Sequence, residues 1–258
     1  MHGCYEALLQ NPDWDVDFEK MSVDILNRAD EIIYATDKNK KIFEKVEVSE
    51  KIHQIYYGYE LESIPRKQRE TLKIDEDSFV YGLVARGIQQ KGFGEAVEAF
   101  KLLKEKTDKK IDLILIGNGP FIDELKEKNQ GVEHVHFVDN LQKPSEWIGW
   151  VRTFDCALLP TYYISESLPN SVIEYLAYEK PVISTDIGDI KYMLVNDNAE
   201  AGIVLKLHDN GVDAGELSEA MEKMLKDTAA YQHYKEGTKE LFGQFDIRNF
   251  AENYYTQY

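Results

Sequence analysis

Short apolar runs alternate with segments of helical periodicity along most of the chain. From residue 79 onward, the apolar runs predict six strands, at 79–84, 111–117, 134–138, 155–160, 181–186 and 201–207. Between the strands, apolar residues recur at helical spacing and predict helices at 94–106, 121–128, 144–151, after residue 169 and at 189–195. Strands that alternate with helices require crossover connections. The pattern therefore predicts a doubly wound α/β domain, with a parallel sheet covered by helices on both faces.

Both ends of the chain show a different pattern. After the last strand, residues 214–226 and 228–242 predict two amphipathic helices. The final stretch, 245–258, predicts a helix on which Phe245, Phe250 and Tyr254 form one aromatic stripe that needs a packing surface.

The first 62 residues predict too few elements for an α/β sheet of their own. They contain one helix at 17–29 and strands at 31–36 and 51–58. The polar stretch 62–78, which includes a proline, predicts a linker. We expect a domain remnant at 1–62, a main domain at 63–244 and a separate C-terminal helix at 245–258.

Composition and charge limit the classes of protein to which this chain could belong. Of the 258 residues, 43% are hydrophobic and 30% are charged, which is typical of a globular protein. The net charge of −17 argues against a general nucleic-acid binder, which needs a basic surface. Two cysteines, Cys4 and Cys156, are too few for a disulfide framework and favour a reducing compartment. No apolar stretch is long enough for a spanning helix, and the first residues lack a signal-peptide pattern.

Two cations follow the first strand of the main domain. Arg86 comes directly after strand 79–84, and Lys91 lies five residues later. Ligands of open parallel sheets bind at the carboxyl ends of the strands. A guanidinium and an ammonium at that edge suit a diphosphate. The alternative is that both are solvated loop cations, and their spacing taken alone favours this alternative, because isolated basic residues are common in loops.

Two carboxylates flank a helix start in the stretch ESLPNSVIEYLAYEKPVISTD. Pro169 is pre-organised for a first helical turn, so the helix is expected to begin near Pro169 or Asn170, with its free N–H groups facing the same crevice. Glu166 precedes that end and Glu174 lies just over one turn inside, so the two acids would face one site from different depths. One could accept hydrogen bonds from sugar hydroxyls and the other could hold a ribose. The alternative is an acid favoured by the helix dipole and an exposed helical glutamate.

The successive motifs of the chain resemble those of retaining family 4 glycosyltransferases of the GT-B fold. The resemblance rests on ARGIQQKG, LILIGNGP, VHFVDN, CALLPTYYISESLPNSVIEYLAYEKPVISTDIGDI and AGIVL, in this order over about residues 79 to 205. The R-x4-K and E-x7-E pairs together make it specific. It implies two Rossmann-like domains with a cleft between them, of which the N-terminal one is incomplete here. The motif MHGCYE resembles the end of an N-domain strand, and 245–258 resembles the helix that crosses back onto that domain.

The resemblance also implies roles for single residues. Arg86 and Lys91 would hold the diphosphate and stabilise it as a leaving group, without a metal. Glu174 would bind the ribose hydroxyls, and Glu166 would contact the donor sugar. His2 would lie near the transferred sugar. Leu141 would pack against the base, and the backbone around four residues would cap sugar or phosphate oxygens: Ser167, Leu168, Pro169 and Asn170.

The implied reaction moves a sugar from a nucleotide-diphosphate donor, a UDP-sugar or a GDP-sugar, to a hydroxyl of a glycan or lipid-linked acceptor. No further cofactor is implied. The usual setting is polysaccharide or glycoconjugate assembly in the cytoplasm at the inner face of a membrane, with peripheral membrane association or a partner chain that supplies the missing N-domain. Two other functions stay open: a sugar-nucleotide epimerase of the same fold, and a non-catalytic nucleotide-binding module or partner subunit.

Several residues depart from the motifs of the family. Ala85 and Asp139 each replace a usual glycine, and Ser167 replaces a glycine after the first acid. Tyr57 stands where an asparagine usually precedes Gly58, and Tyr192 stands where a glutamate is usual. Asp139 and Tyr192 therefore leave the donor preference open.

Overall fold

The computed structural model describes residues 18–36, 42–47, 49–208 and 211–256. The strands in this part of the chain are β1 (Ile32–Tyr34), β2 (Ile52–Gln54), β3 (Phe79–Val84), β4 (Ile111–Ile116), β5 (Val135–Val138), β6 (Cys156–Leu159), β7 (Val182–Thr185) and β8 (Gly202–Leu205). The α-helices are α1 (Phe18–Arg28), α2 (Phe93–Glu105), α3 (Pro120–Lys128), α4 (Pro144–Val151), α5 (Asn170–Ala177), α6 (Ile190–Leu194), α7 (Ala214–Lys226), α8 (Thr228–Phe242) and α9 (Ile247–Thr256). His2 and Cys4 lie outside the described residues.

Six strands form one parallel sheet in the order β5-β4-β3-β6-β7-β8. This order confirms the predicted doubly wound fold, because the chain starts in the middle and winds first to one edge and then to the other. The reversal falls between β3 and β6, whose carboxyl ends therefore flank a crevice that suits a ligand. Each predicted strand of this sheet is present, with bounds within two residues of the prediction.

The sheet is buried on both faces, as a parallel sheet must be. Successive side chains of a strand point to opposite faces. Ile114 and Ile116 accordingly pack into one apolar cluster with residues of α4 and α5, whereas Leu113 and Leu115 pack into a second cluster with residues of α2 and α7. No helix in the described part of the chain is both long and apolar enough to cross a membrane.

The two short strands before the main sheet form a separate parallel pair. β1 and β2 pair over three residues each, with Ile32 opposite Ile52. They are shorter than the predicted strands at 31–36 and 51–58. Together with α1 they cover a small apolar cluster that includes Leu26, Ile32 and Phe43.

The predicted linker at 62–78 is tied to the main domain by a buried arginine. Arg69 is 4% exposed and donates hydrogen bonds to the carbonyls of Glu76, Ser78 and Thr153 and to the Asp155 carboxylate. The amide N–H of Val80, in β3, donates to the same carboxylate oxygen at 2.8 Å. These bonds fix the stretch around Arg69 against the amino-terminal ends of β3 and β6.

The C-terminal helix begins later than predicted, which changes the aromatic stripe. Phe245 is fully buried in a 3-10 turn (Gly243–Phe245) before α9, and its ring centroid lies 5.3 Å from that of Tyr56. Only Phe250 and Tyr254 then face each other along α9, at 5.9 Å between centroids. The segment is held by Tyr59, whose N–H donates to the Phe245 carbonyl and whose carbonyl accepts from the N–H of residue 247.

Candidate functional site

The two cations and the two acids predicted from sequence line one cleft at the carboxyl ends of the sheet. The cleft has a volume of about 790 Å³ and opens beside β3 and the start of α5. We call it the main cleft. The residues of the sequence prediction that line it are Arg86, Lys91, Leu141, Glu166, Pro169, Asn170 and Glu174. The crossover topology thus assembles groups that are up to 88 positions apart in sequence, from residue 86 to residue 174.

Lys91 and Glu166 form a buried ion pair at the floor of the main cleft. Each is 6% exposed, and the Lys91 ammonium contacts Glu166 Oε2 directly. Thr161 Oγ1 lies 3.1 Å from the same carboxylate oxygen. From the sequence, Lys91 was expected to contact the diphosphate of a ligand and Glu166 its sugar. The structure adds that each compensates the charge of the other, which is what makes their burial tolerable.

A tyrosine that sequence reasoning missed lies against both cations. The ring centroid of Tyr163 is 5.2 Å from the Arg86 guanidinium carbon and 5.3 Å from Lys91 Nζ. Both distances are within the range of a cation–π contact. A hydrogen bond with Arg86 holds the pKa of the Tyr163 hydroxyl below its usual value. Its position in the loop after β6, three residues before Glu166, was the only sequence signal that Tyr163 lies near these cations.

Gly92 determines where the Lys91 loop lies. Lys91 ends a 3-10 turn (Gln89–Lys91), and Gly92 follows in the left-handed region with φ of 79° before α2 begins. A Cβ atom on Gly92 would lie 2.1 Å from the Pro160 carbonyl oxygen, directly after β6. The turn after β3 therefore packs on the end of β6 only because residue 92 has no side chain.

We expect Gly92→Ala to lower the free energy of unfolding by about 1–3 kcal/mol, because the methyl group meets backbone and the left-handed conformation is strained. Urea denaturation measures the change. Gly94→Ala is the matched control, since a Cβ at Gly94 would meet nothing within 4 Å and alanine favours the helix. Equal stabilities of Gly92→Ala and the wild type would contradict this interpretation of the loop.

Helix α5 begins where the sequence predicted. Pro169 is its N-cap residue in an extended conformation, and Asn170 is its first residue. Pro169, Asn170 and Ser171 all line the main cleft, so the positive end of the helix dipole faces it.

Glu174 lies one turn inside α5 and its carboxylate is half-buried. Trp147 Nε1, on α4, donates a hydrogen bond to Glu174 Oε1 at 3.3 Å. Burial raises the pKa of Glu174 to about 7, and the Trp147 hydrogen bond opposes part of that rise. The acid is therefore not the exposed helical glutamate of the alternative interpretation. Trp147 was missed because no local pattern connects it with α5.

A second, smaller hollow adjoins the main cleft and shares three residues with it, Arg86, Glu166 and Asn170. It has a volume of about 470 Å³, and its further lining residues are Tyr57, Tyr163, Ser165, Ser167 and Leu168. Ser167 Oγ is buried and has no hydrogen-bond partner within the described part of the protein.

The other side chains that could serve a site are paired with groups of the protein or buried in its core. His134 Nδ1 and His136 Nε2 lie 3.1 and 2.7 Å from one oxygen of the buried Asp112 carboxylate, which also accepts from Ser78. The described residues contain no group of three or more His, Cys, Asp or Glu side chains arranged to hold a metal ion. Cys156 is fully buried in β6, and burial raises the pKa of its thiol.

Comparison with known proteins links this site to a family. Residues 65–241 match the family described as Glycosyl transferases group 1. The chain is 31% identical over 168 residues to an uncharacterised glycosyltransferase of Methanocaldococcus jannaschii, which covers 61% of this chain and 40% of that protein. It is 32% identical over 125 residues to the putative teichuronic acid biosynthesis glycosyltransferase TuaC of Bacillus subtilis, covering 48% and 28% of the two chains. The chain therefore spans less than half the length of these relatives.

Solved structures share the fold at low sequence identity. A glycosyltransferase from Rickettsia africae superposes with a TM-score of 0.75 at 17% identity, over 100% of this chain and 68% of that one. Anabaena HepE in complex with UDP-glucose superposes with a TM-score of 0.68 at 17% identity, over 92% and 67% of the two chains. These neighbours are GT-B glycosyltransferases, and the likeness confirms the predicted GT-B type of α/β fold.

Proposed function

Because the chain belongs to the Glycosyl transferases group 1 family, we propose that it forms the donor-binding part of a glycosyltransferase that uses a nucleotide-diphosphate sugar and retains the anomeric configuration. The observation that carries the proposal is the main cleft, where Arg86 and Lys91 lie together with the α5 N-terminus and Glu174. Two cations and a helix end suit a diphosphate. A half-buried carboxylate in the same cleft suits the two hydroxyls of a ribose.

The nucleotide of the donor is, in this proposal, UDP. A neighbour of the same fold is described in complex with UDP-glucose, and another, a pneumococcal O-GlcNAc transferase, with UDP and GlcNAc. The base would pack against Leu141 at the rim of the main cleft. The second hollow is lined by Arg86, Glu166 and Ser167, and it would hold the sugar.

Transfer of the sugar requires stabilisation of the departing diphosphate. When the bond between the anomeric carbon and the β-phosphate oxygen breaks, negative charge grows on that oxygen. Arg86, Lys91 and the free N–H groups at Asn170 and Ser171 would meet this charge, a role that fixed dipoles and cations fill at little reorganisation cost. Glu166, held by Lys91 and Thr161, would contact hydroxyls of the sugar.

The setting of the reaction is proposed from relatives. TuaC is described as a teichuronic acid biosynthesis enzyme and CapM of Staphylococcus aureus as a capsular polysaccharide biosynthesis enzyme. We propose that the acceptor is a growing glycan or lipid-linked saccharide at the inner face of a membrane. His2, predicted to lie near the transferred sugar, stays a prediction.

We expect UDP to bind the wild-type chain and Arg86→Ala to weaken this binding by roughly 10- to 100-fold, because the substitution removes charge-assisted hydrogen bonds to phosphate. Titration calorimetry measures both affinities. Arg248→Ala is the control, since that guanidinium is exposed and pairs with Asp246 away from the cleft. If Arg86→Ala leaves the affinity unchanged, the diphosphate role is wrong.

Two assays separate the proposal from the other functions considered. Formation of an epimer from the donor alone, with no acceptor present, would indicate an epimerase. UDP binding without transfer to any glycan or lipid-linked acceptor would indicate a binding module. The family and its relatives favour neither of these alternatives.

A further inference from the structure

A tryptophan on a neighbouring helix holds one of the two acids of the main cleft. Trp147 donates its indole N–H to Glu174 Oε1 at 3.3 Å, and both side chains line the cleft. It is the one side-chain hydrogen bond to Glu174 in the described part of the protein. One carboxylate oxygen is therefore held from the α4 side, in a residue that lines the cleft.

The indole itself is held in place by α4. The helix begins after Lys143, and the Glu146 carboxylate accepts the N–H groups of Gln142 and Lys143 at 2.7 and 2.9 Å, which closes the first turn. Ile148 and Trp150, on either side of Gly149, anchor α4 in the core. Trp147 is thus presented from a rigid element rather than from a mobile loop.

An indole N–H can only donate a hydrogen bond. It therefore stabilises Glu174 as an acceptor, and the acceptor form is what two vicinal ribose hydroxyls need. Without Trp147, a half-buried carboxylate has a stronger tendency to take up a proton or to rotate away, and its match to the hydroxyl pair is lost.

We propose that Trp147 is a positioning residue that orients the Glu174 carboxylate for the ribose and so makes the site select ribonucleotides over deoxyribonucleotides. This inference rests on the proposed function, because it takes the ligand of the main cleft to be a nucleoside diphosphate. Trp147 acts through Glu174. Its own contact with the ligand is not part of the inference.

The test is a double-mutant cycle with titration calorimetry at pH 8, using UDP and 2′-deoxy-UDP. In the wild type, UDP is expected to bind more tightly than 2′-deoxy-UDP. Trp147→Phe keeps an aromatic ring and removes the N–H donor. It is expected to weaken UDP about tenfold, the effect of a lost hydrogen bond to a charged group, and to leave 2′-deoxy-UDP less affected. In the Glu174→Leu background, which has no acceptor for the indole N–H, the same substitution should change neither affinity by more than about twofold.

Trp150→Phe is the matched control, because Trp150 lies on the same helix, is 6% exposed and packs in the core. It should lower stability without changing the preference for ribose. If Trp147→Phe weakens both nucleotides equally, or acts equally in the Glu174→Leu background, the indole only packs and the inference is wrong. If the wild type binds neither nucleotide, the proposed function itself fails, which is a different result.

A measurement on the wild-type chain tests the inference even if Trp147→Phe does not fold. The chain has three tryptophans, so the indole N–H signals in a nitrogen-15 correlation spectrum are few, and Trp150→Phe assists their assignment. The Trp147 signal is expected to shift between pH 5 and 9 as Glu174 titrates, and saturation with UDP-glucose, whose diphosphate does not titrate in this range, should move the midpoint of that shift to lower pH. A Trp147 signal that neither titrates nor changes on saturation with UDP-glucose would overturn the inference.

Discussion

Replacing Lys91 with methionine is expected to lower the free energy of unfolding by about 3–5 kcal/mol, because the buried Glu166 carboxylate then loses its ammonium partner. Methionine keeps most of the apolar part of the lysine side chain, so the substitution mainly removes the charge. The same substitution should remove most UDP binding, since one of the two cations of the main cleft is gone. Urea denaturation and titration calorimetry measure the two effects.

The two effects of Lys91→Met are separated by a second substitution. In Lys91→Met/Glu166→Gln, no buried carboxylate remains at the pair, so most of the lost stability should return while UDP binding stays weak. Lys101→Met is the surface control, because Lys101 pairs with Glu98 at 2.9 Å in an exposed position, and such pairs contribute about 0–1 kcal/mol. Restored UDP binding in the double variant would show that Lys91 serves only to neutralise Glu166.

The affinity for UDP-glucose is expected to rise with pH through the pKa of Glu174, which burial raises to about 7. Two ribose hydroxyls donate to the two oxygens of the carboxylate, whereas the protonated acid accepts more weakly and uses one oxygen as a donor, so the charged form binds the ribose more tightly. Below about pH 6, the affinity should fall by up to about tenfold per pH unit. UDP-glucose suits this experiment because its diphosphate is esterified at both ends and does not titrate in this range. Titration calorimetry at pH 5 to 8 measures the profile.

The same group has the opposite effect on the stability of the unliganded protein. The pKa of Glu174 is raised above its ordinary value of 4.5, so the native state binds a proton more tightly than the unfolded state does. This contribution therefore stabilises the fold at low pH and is lost as the pH rises from about 4.5 to about 7. Glu174→Gln should remove both pH dependences. A flat affinity profile in the wild type would contradict the ribose role of Glu174.

Much of the main domain followed from local sequence. The alternation of apolar runs and helical spacing gave the six strands of the sheet and their connecting helices, because a strand or helix face must be apolar wherever it is buried. Arg86, Lys91, Glu166 and Glu174 could be placed at strand ends for the same reason. Crossover connections bring those ends to one edge, which is why the predicted residues line a single cleft.

The tertiary structure decided which of these side chains contact each other, and what each contact does to their chemistry. Lys91 and Glu166 are 75 positions apart and form a buried pair, and Trp147 and Glu174 are 27 apart on different helices. The Arg69 ion pair with Asp155 spans 86 positions and fixes the predicted linker against the main domain. Periodicity cannot encode such pairs, because it reports which face of an element is buried and not which side chain lies opposite. Burial, charge pairing and the pKa of Glu174 depend on that opposite side chain, so they are properties of the folded chain alone.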